Sequence, residues 1–199
     1  MSSQTPIETT TAFKGIDLKL QNIAAAIKPH LSWLTYSFGL SDRIVELREK
    51  KPYVFPAIYQ DLNSKEWVSC MPSDLYPAFA FWTKEPEAEF RDNNPARMYY
   101  NVSVIFYLDL KHIAPTQNWK LVKSNIRQDI LEVFRTHKYG GFGVLQIMRW
   151  IDDDITEVYK DFSIEQIDNI FKIYPKYALR IDFEFAFLME CSTSYNSYT

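Results

Sequence analysis

The chain is predicted to be an α+β protein: a mostly antiparallel sheet in which two long strands pack against one main helix, plus an N-terminal helix. Three observations predict it. Met98, Tyr100, Val102, Val104, Phe106, Leu108 and Leu110 alternate with Tyr99, Asn101, Ser103, Ile105, Tyr107 and Asp109, a period of two that only a strand sustains. From Tyr177 to Cys191 the odd positions Tyr177, Leu179, Ile181, Phe183, Phe185, Phe187 and Met189 are apolar, while Arg180, Asp182, Glu184 and Glu190 fill the other face. Between them, Trp119, Val122, Ile126, Ile130, Val133 and Phe134 recur at three- and four-residue spacing behind Asn118, a good N-cap, giving a helix that ends near His137. Long one-sided strands suit an antiparallel sheet with one packed face, and the helix is the natural cover for that face.

The remaining elements follow in order. Residues 1–12 are polar and without periodicity and are predicted to form a flexible arm. Ile16, Leu20, Ile23 and Ile27 have helical spacing, with Asp17 in the first turn, Lys28 in the last and Pro29 beyond. Between Leu31 and Gln60 the mixed signal, punctuated by Pro52 and Pro56, predicts short strands and turns. Tyr76, Phe79, Phe81 and Trp82, lying among Pro72, Pro77 and Pro86, suggest an edge segment or extended loop, or a cover for the second face of the sheet. Gly140, Gly141 and Gly143 mark a permissive turn before a strand from Val144 to Ile151. Asp152, Asp153 and Asp154 end that strand. Ser163 with Gln166, and Phe162 against Ile167, give a capping box and staple for a short helix to about Phe171. Residues 13–191 thus form one domain, and residues 192–199 a flexible tail.

Composition narrows the function. With 47% hydrophobic residues the 199-residue chain has material for a packed core, and a net charge of −3 argues against a dedicated nucleic-acid surface. Two cysteines, Cys70 and Cys191, are too few for a disulfide framework and fit a reducing compartment. No long uncharged apolar run and no signal-peptide pattern stand out, so a soluble, unsecreted protein is expected and no membrane partner.

No catalytic, cofactor-binding or metal-binding residue is identified. His30, His112 and His137 lack the ligand spacings of zinc sites. Asp152 to Asp154 lack the alternation of a calcium loop and read as a solvated turn. Asp182 and Glu184 superficially resemble nuclease carboxylates, but they are the polar face of their strand. The glycine turn lacks the Lys and Ser/Thr of a phosphate loop, and neither cysteine has a neighbouring base. What remains is aromatic material outside the expected regular elements. Tyr76, Phe79, Phe81, Trp82, Phe142, Tyr195 and Tyr198 are the candidate interface residues, since Trp and Tyr most often anchor interfaces. A ligand-binding or enzyme domain with a pocket between sheet and helix is the alternative. A nucleic-acid accessory factor would need Arg127, Arg135, Lys138 and Arg149 to converge.

The order of elements resembles the tail-terminator and neck proteins of tailed bacteriophages. The texture of Tyr99 to Leu110, Ile151 to Phe162, and Tyr174 to Phe183 is similar to proteins of phages infecting Bacteroidetes. The resemblance spans roughly residues 98–190 and includes no catalytic signature. It implies a structural virion protein, assembled in the host cytoplasm, that forms a homo-oligomeric ring of hexameric or dodecameric order. Its partners would be other neck, connector or tail-tube proteins, and its work would be to complete the tail and join it to the head connector without cofactor or enzymatic step.

Overall fold

The computed structural model describes residues 15–59, 67–72, 76–89, 97–136, 143–164 and 175–188. Helix α1 (Gly15–Ile27) runs into a 3-10 turn (Lys28–His30), followed by β1 (Tyr36–Leu40), β2 (Asp42–Arg48), β3 (Lys51–Tyr59) and β4 (Trp67–Ser69). Then come β5 (Ala78–Glu89), β6 (Arg97–Asp109), α2 (Leu110–Ile113), α3 (Trp119–Thr136), β7 (Val144–Asp152), α4 (Ile155–Val158) and β8 (Lys176–Leu188). The main sheet has the order β1-β5-β6-β8-β7, antiparallel except for the parallel β1–β5 pair, and a second sheet has the order β2-β3-β4. This is the α+β class that the alternating segments predict.

The centre of the molecule is the β6–β8 ladder, paired continuously from Arg97 opposite Leu188 to Asp109 opposite Lys176. Its register sets Val102 against Phe183, Val104 against Ile181 and Phe106 against Leu179, so the apolar sets of both strands share one face. That face is covered by Leu20, Ile23 and Ile27 of α1 together with Val122, Ile126, Ile130 and Val133 of α3, in one continuous core. Both helices therefore pack on the sheet, where the sequence assigned the covering role to the longer alone. Asn118 caps α3 as expected, its Oδ1 accepting from the Lys120 amide at 3.0 Å. Gly39 on β1 lets α1 approach closely: a Cβ there would lie 2.1 Å from Gln21 Oε1.

The other face carries Phe38, Phe79, Phe81, Ile105, Tyr107, Ile151 and Ala178, covered by Cys70, Val158 and Tyr159 with Phe162 beside them. Helix α4 supplies part of this cover and is capped by Asp154, whose Oδ1 accepts from the Thr156 and Glu157 amides at 3.1 and 3.2 Å. The sequence had given Asp154 only a turn. Ser163 straps the segment to β3: its amide donates to Val54 O at 2.8 Å and its Oγ accepts from the Val54 amide at 2.9 Å. The expected capping-box helix beyond Ser163 lies in residues 165–174, outside the described residues. Gly143 has φ +147°, as a glycine turn requires, while residues 137–142 lie outside the description.

The expected edge segment or loop is instead an interior strand, while Phe79 and Phe81 do line the second face of the sheet, the other expectation for them. β5 is an interior strand, hydrogen-bonded to β1 on one side and β6 on the other. Pro86 is tolerated there because the β5–β6 register shifts between Lys84 and Ala88, a bulge that needs no ladder donor. Among the described residues, no helix is long and apolar enough to cross a membrane.

The two sides of α3 make a direct check. Ile126 is buried and Leu121 is 56% exposed, so Ile126→Ala should cost about 2–5 kcal/mol and Leu121→Ala less than about 0.5 kcal/mol in urea denaturation. Equal losses would show that the helix faces are assigned wrongly.

Candidate functional site

Two kinds of feature lie open on this scaffold, unpaired strand edges and a polar cleft. The first edge belongs to the β2–β3 hairpin, an arm that Ser163 ties down at Val54 and whose Ile58, on β3, packs against the second core. Its pairing runs from Asp42 opposite Ala57 to Arg48 opposite Lys51, leaving Glu49 and Lys50 as a two-residue tip. Both tip residues have positive φ, 50° and 66°, the condition for the tight hairpin turn that matches strand twist. Neither is Gly or Asn, so the tip holds a conformation that costs roughly 1–2 kcal/mol per residue. One side of the arm is finished by the Arg48 guanidinium, 3.9 Å from the Tyr53 ring centroid, and by Tyr53 on Phe55. The other side leaves Val45 60% and Leu47 80% exposed.

The second edge is β7, paired to β8 on one side only. A bulge between Ile147 and Arg149 turns Met148 outward, and Val144, Ile147 and Met148 are all exposed. Among the described residues, β2 and β7 are thus borders of different sheets that carry large apolar side chains in solvent.

A cleft of about 310 Å³ lies on the sheet face away from α1 and α3, with Asp42 and Arg43 of the arm's root, Met148 and Arg149 of β7, and Lys160 to Phe162 in its walls. Its floor holds Arg180, whose side chain is almost fully buried. Nε donates to Asp182 Oδ1 and Nη1 to Asp161 Oδ2, each at 2.6 Å, while Nη2 donates to Ser103 Oγ at 2.9 Å. Ser103 Oγ in turn donates to Asp182 Oδ1 at 2.6 Å. Burial pushes the Asp182 carboxyl up, but the hydrogen bonds from Arg180 and Ser103 outweigh it and hold the group below its ordinary 3.8. One guanidinium thus serves two carboxylates, with the Ser103 hydroxyl and, at 3.5 Å, the Val158 carbonyl completing its contacts.

The acid triplet after β7 is occupied by helix α3. Arg127 pairs with Asp152 and donates to Tyr177 Oη at 3.2 Å, and Lys123 reaches Asp153 at 2.6 Å. Burial, ahead of the opposing hydrogen bond from Arg127, pushes the Tyr177 phenol up. Arg127 stands on the helix side of the sheet and Arg149 on the cleft side, so they do not converge. Arg135 is exposed near the end of α3, and Lys138 lies outside the described residues.

The structure divides the candidate interface residues. Phe79, Phe81 and Trp82 are at most 1% exposed, the two phenylalanines in the core under α4 and Trp82 against Phe134 and Phe183. Their rings are spent inside the chain, which removes them as contact residues for a neighbour. Tyr76 is half-buried, edge-on to Tyr36 at 5.3 Å. Phe142, Tyr195 and Tyr198 lie outside the described residues. The exposed apolar residues that sequence reasoning missed are Val45, Leu47, Val144 and Met148, aliphatic side chains on edge strands. The signal available for them was alternation continuing where nothing could cover the outer face.

His30 and His112 are exposed, and among the described residues no cluster of His, Cys, Asp and Glu could hold a metal ion. Cys70 is buried and burial pushes its thiol far up, against a role as nucleophile.

Arg180→Met should cost roughly 3–5 kcal/mol at neutral pH, because it leaves the part-buried Asp182 without its cation, whereas Asp161, 42% exposed, keeps water. The Asp182 contribution is complete above pH 3.8 and lost as pH falls through its lower folded value. The gap between wild type and variant should therefore narrow in denaturation measured at about pH 3 relative to about pH 7; an unchanged gap would refute the ionic account. No family model, curated protein or solved structure matches the chain.

Proposed function

We propose that this protein is a ring-forming structural subunit of a tailed-phage virion, placed at the neck or tail end and joining the completed tail to the head connector. The observation that carries the reading is the pair of sheet borders, β2 and β7, that no described strand covers and that expose apolar side chains. Two different edges that no described strand covers are the kind of surfaces a heterologous contact uses, one that closes into a ring when its rotation permits. The element order supports the same reading through its resemblance to tail-terminator and neck subunits. In this role the subunit caps the last ring of a polymerised tail tube and offers the connector a new surface, with binding energy as the only currency.

Small ring contacts are compatible with a monomer in dilute solution, the tube end then supplying the template that offsets the cost of association. Mixed with purified tail tubes or connectors, the protein should decorate one end in negative-stain images and stop tube overgrowth. Undecorated ends, or tubes that still overgrow in its presence, would reject the role. The rival ligand-binding reading expects its pocket between sheet and helix, whereas the cleft lies on the face away from α1 and α3; a ligand that raises the melting temperature of wild type but not of a Ser103→Ala, Arg43→Ala variant would support it at that other place.

A further inference from the structure

The cleft lies where the cover on the second face of the sheet stops. Phe81, Ile105, Arg180 and Ile151 stand abreast across β5, β6, β8 and β7, and Val158, Tyr159 and Phe162 roof that row. The next row on the same face, Thr83, Ser103, Asp182 and Arg149, lines the cleft instead. We propose that this cleft binds a saccharide of one or two rings through pairs of neighbouring hydroxyls, a site that goes beyond the ring reading and does not depend on it.

The carboxylates are positioned as acceptors. Asp182 accepts from Arg180 Nε and Ser103 Oγ on one oxygen, Oδ1, and Asp161 accepts from Arg180 Nη1 on Oδ2. In each carboxylate the second oxygen therefore accepts no hydrogen bond among the described residues. The buried guanidinium fixes both groups and leaves each with an oxygen to offer. Donors share the cleft with them: Arg43 from β2 and Lys160 after α4 line it without an ion pair or hydrogen bond to any described residue. Arg149 spends Nη2 on Glu157 at 3.3 Å, an exposed pair that holds little.

This mixture of signs selects the ligand. A simple anion would meet the open oxygens of Asp161 and Asp182, and a simple cation would meet Arg43, Arg149 and Lys160. A hydroxyl both donates and accepts, so two neighbouring hydroxyls satisfy a carboxylate and a cationic donor side by side. Phe162, which lines the cleft and packs edge-on against Phe81, adds an apolar surface for the C–H face of a sugar ring. A volume of about 310 Å³ is at the small end for ligand pockets, which fits one or two rings. Because Arg180 already holds both carboxylates in place, little side-chain freedom is lost on binding.

The test titrates the full chain with free glucose, galactose, mannose, N-acetylglucosamine, maltose and lactose, read by saturation-transfer NMR and amide chemical shifts, with inorganic phosphate, glutamate and putrescine as charged probes. At least one saccharide should bind and shift the amides of Ser103, Lys160 and Asp182. Removing donors by Arg43→Ala with Lys160→Ala, or one acceptor by Asp161→Asn, should weaken that binding about tenfold, the effect of losing a hydrogen bond to a charged group. Leu121→Ala on α3 should leave it unchanged. Arg43 and Lys160 are exposed, so their variant should keep the urea midpoint of wild type, which separates lost binding from lost folding. No binding by any of the saccharides, binding that survives both cleft variants, or tighter binding of phosphate, glutamate or putrescine than of every saccharide would overturn the proposal, whatever the outcome with tail tubes.

Discussion

Everything else in the molecule is hung on the register between β6 and β8. Thirteen residues of each strand face one another without a bulge, and because side chains alternate, that one alignment decides which side of the sheet every neighbour meets. Slipping it by one residue would turn Phe183 and Phe185 toward the cleft and drive Arg180 and Asp182 under α1 and α3. The Arg180 network is the polar counterpart of this alignment. Ser103 and Asp182 stand opposite each other in the ladder, so the hydroxyl that donates to Asp182 and accepts from Arg180 reaches both only in the native register. Apolar packing on one face and a closed ionic network on the other thus select the same pairing.

α3 was legible because one side of it is wet, which the sequence records as a period of three to four. β6 and β8 were legible because large apolar residues hold one face at a period of two, but the expected wet face is corrected: residues 102–108 and 177–181 are buried on both faces, the second under Val158 and Tyr159. β5 has no such period to read. Ala78 to Trp82 are buried on both faces, between α1 and α3 on one side and Tyr159 and Phe162 on the other, so the run is continuously apolar and carries no period. Its prolines then pointed to a loop, although Pro86 occupies a bulge. Aromatic content was a poor guide to contact surfaces for the same reason: Phe79, Phe81 and Trp82 are large, and large side chains are what a two-sided core consumes.

The cleft was illegible for a different reason. Asp161, Ser103, Arg180 and Asp182 come from three separate stretches of chain, and only the folded arrangement reveals that they bond to one another. From the sequence, Asp182 and Arg180 were merely the polar side of a strand, which is correct as far as one-dimensional pattern reaches. The aspartates after β7 show the same limit. Spacing identified a turn, but Lys123 and Arg127, a full helix away in sequence, decide that Asp152 and Asp153 are partnered while Asp154 caps α4.

The edges of the sheets differ in a way that bears on how the chain meets other copies. β1, at one border of the main sheet, is five residues long, its central residues are buried, and α1 packs against it, with Ser37 Oγ donating to the Ala24 carbonyl at 2.8 Å. β7, at the other border, is longer and lies open, yet it is interrupted by a bulge at Met148 and carries Arg149. β2 is open too, and Arg43, Glu46 and Arg48 break its apolar run. Bulges and charges are the devices by which open edges avoid indiscriminate pairing. Placed within strands that still expose Val45, Leu47 and Met148, they do not close the edge; they restrict which partner strand can satisfy it. Among the described residues, β1 is guarded, β4 is only three residues long, and β2 and β7 keep apolar side chains between charges; such unlike borders are a directional arrangement, and direction is what a chain needs if it is to join its copies head to tail rather than face to face.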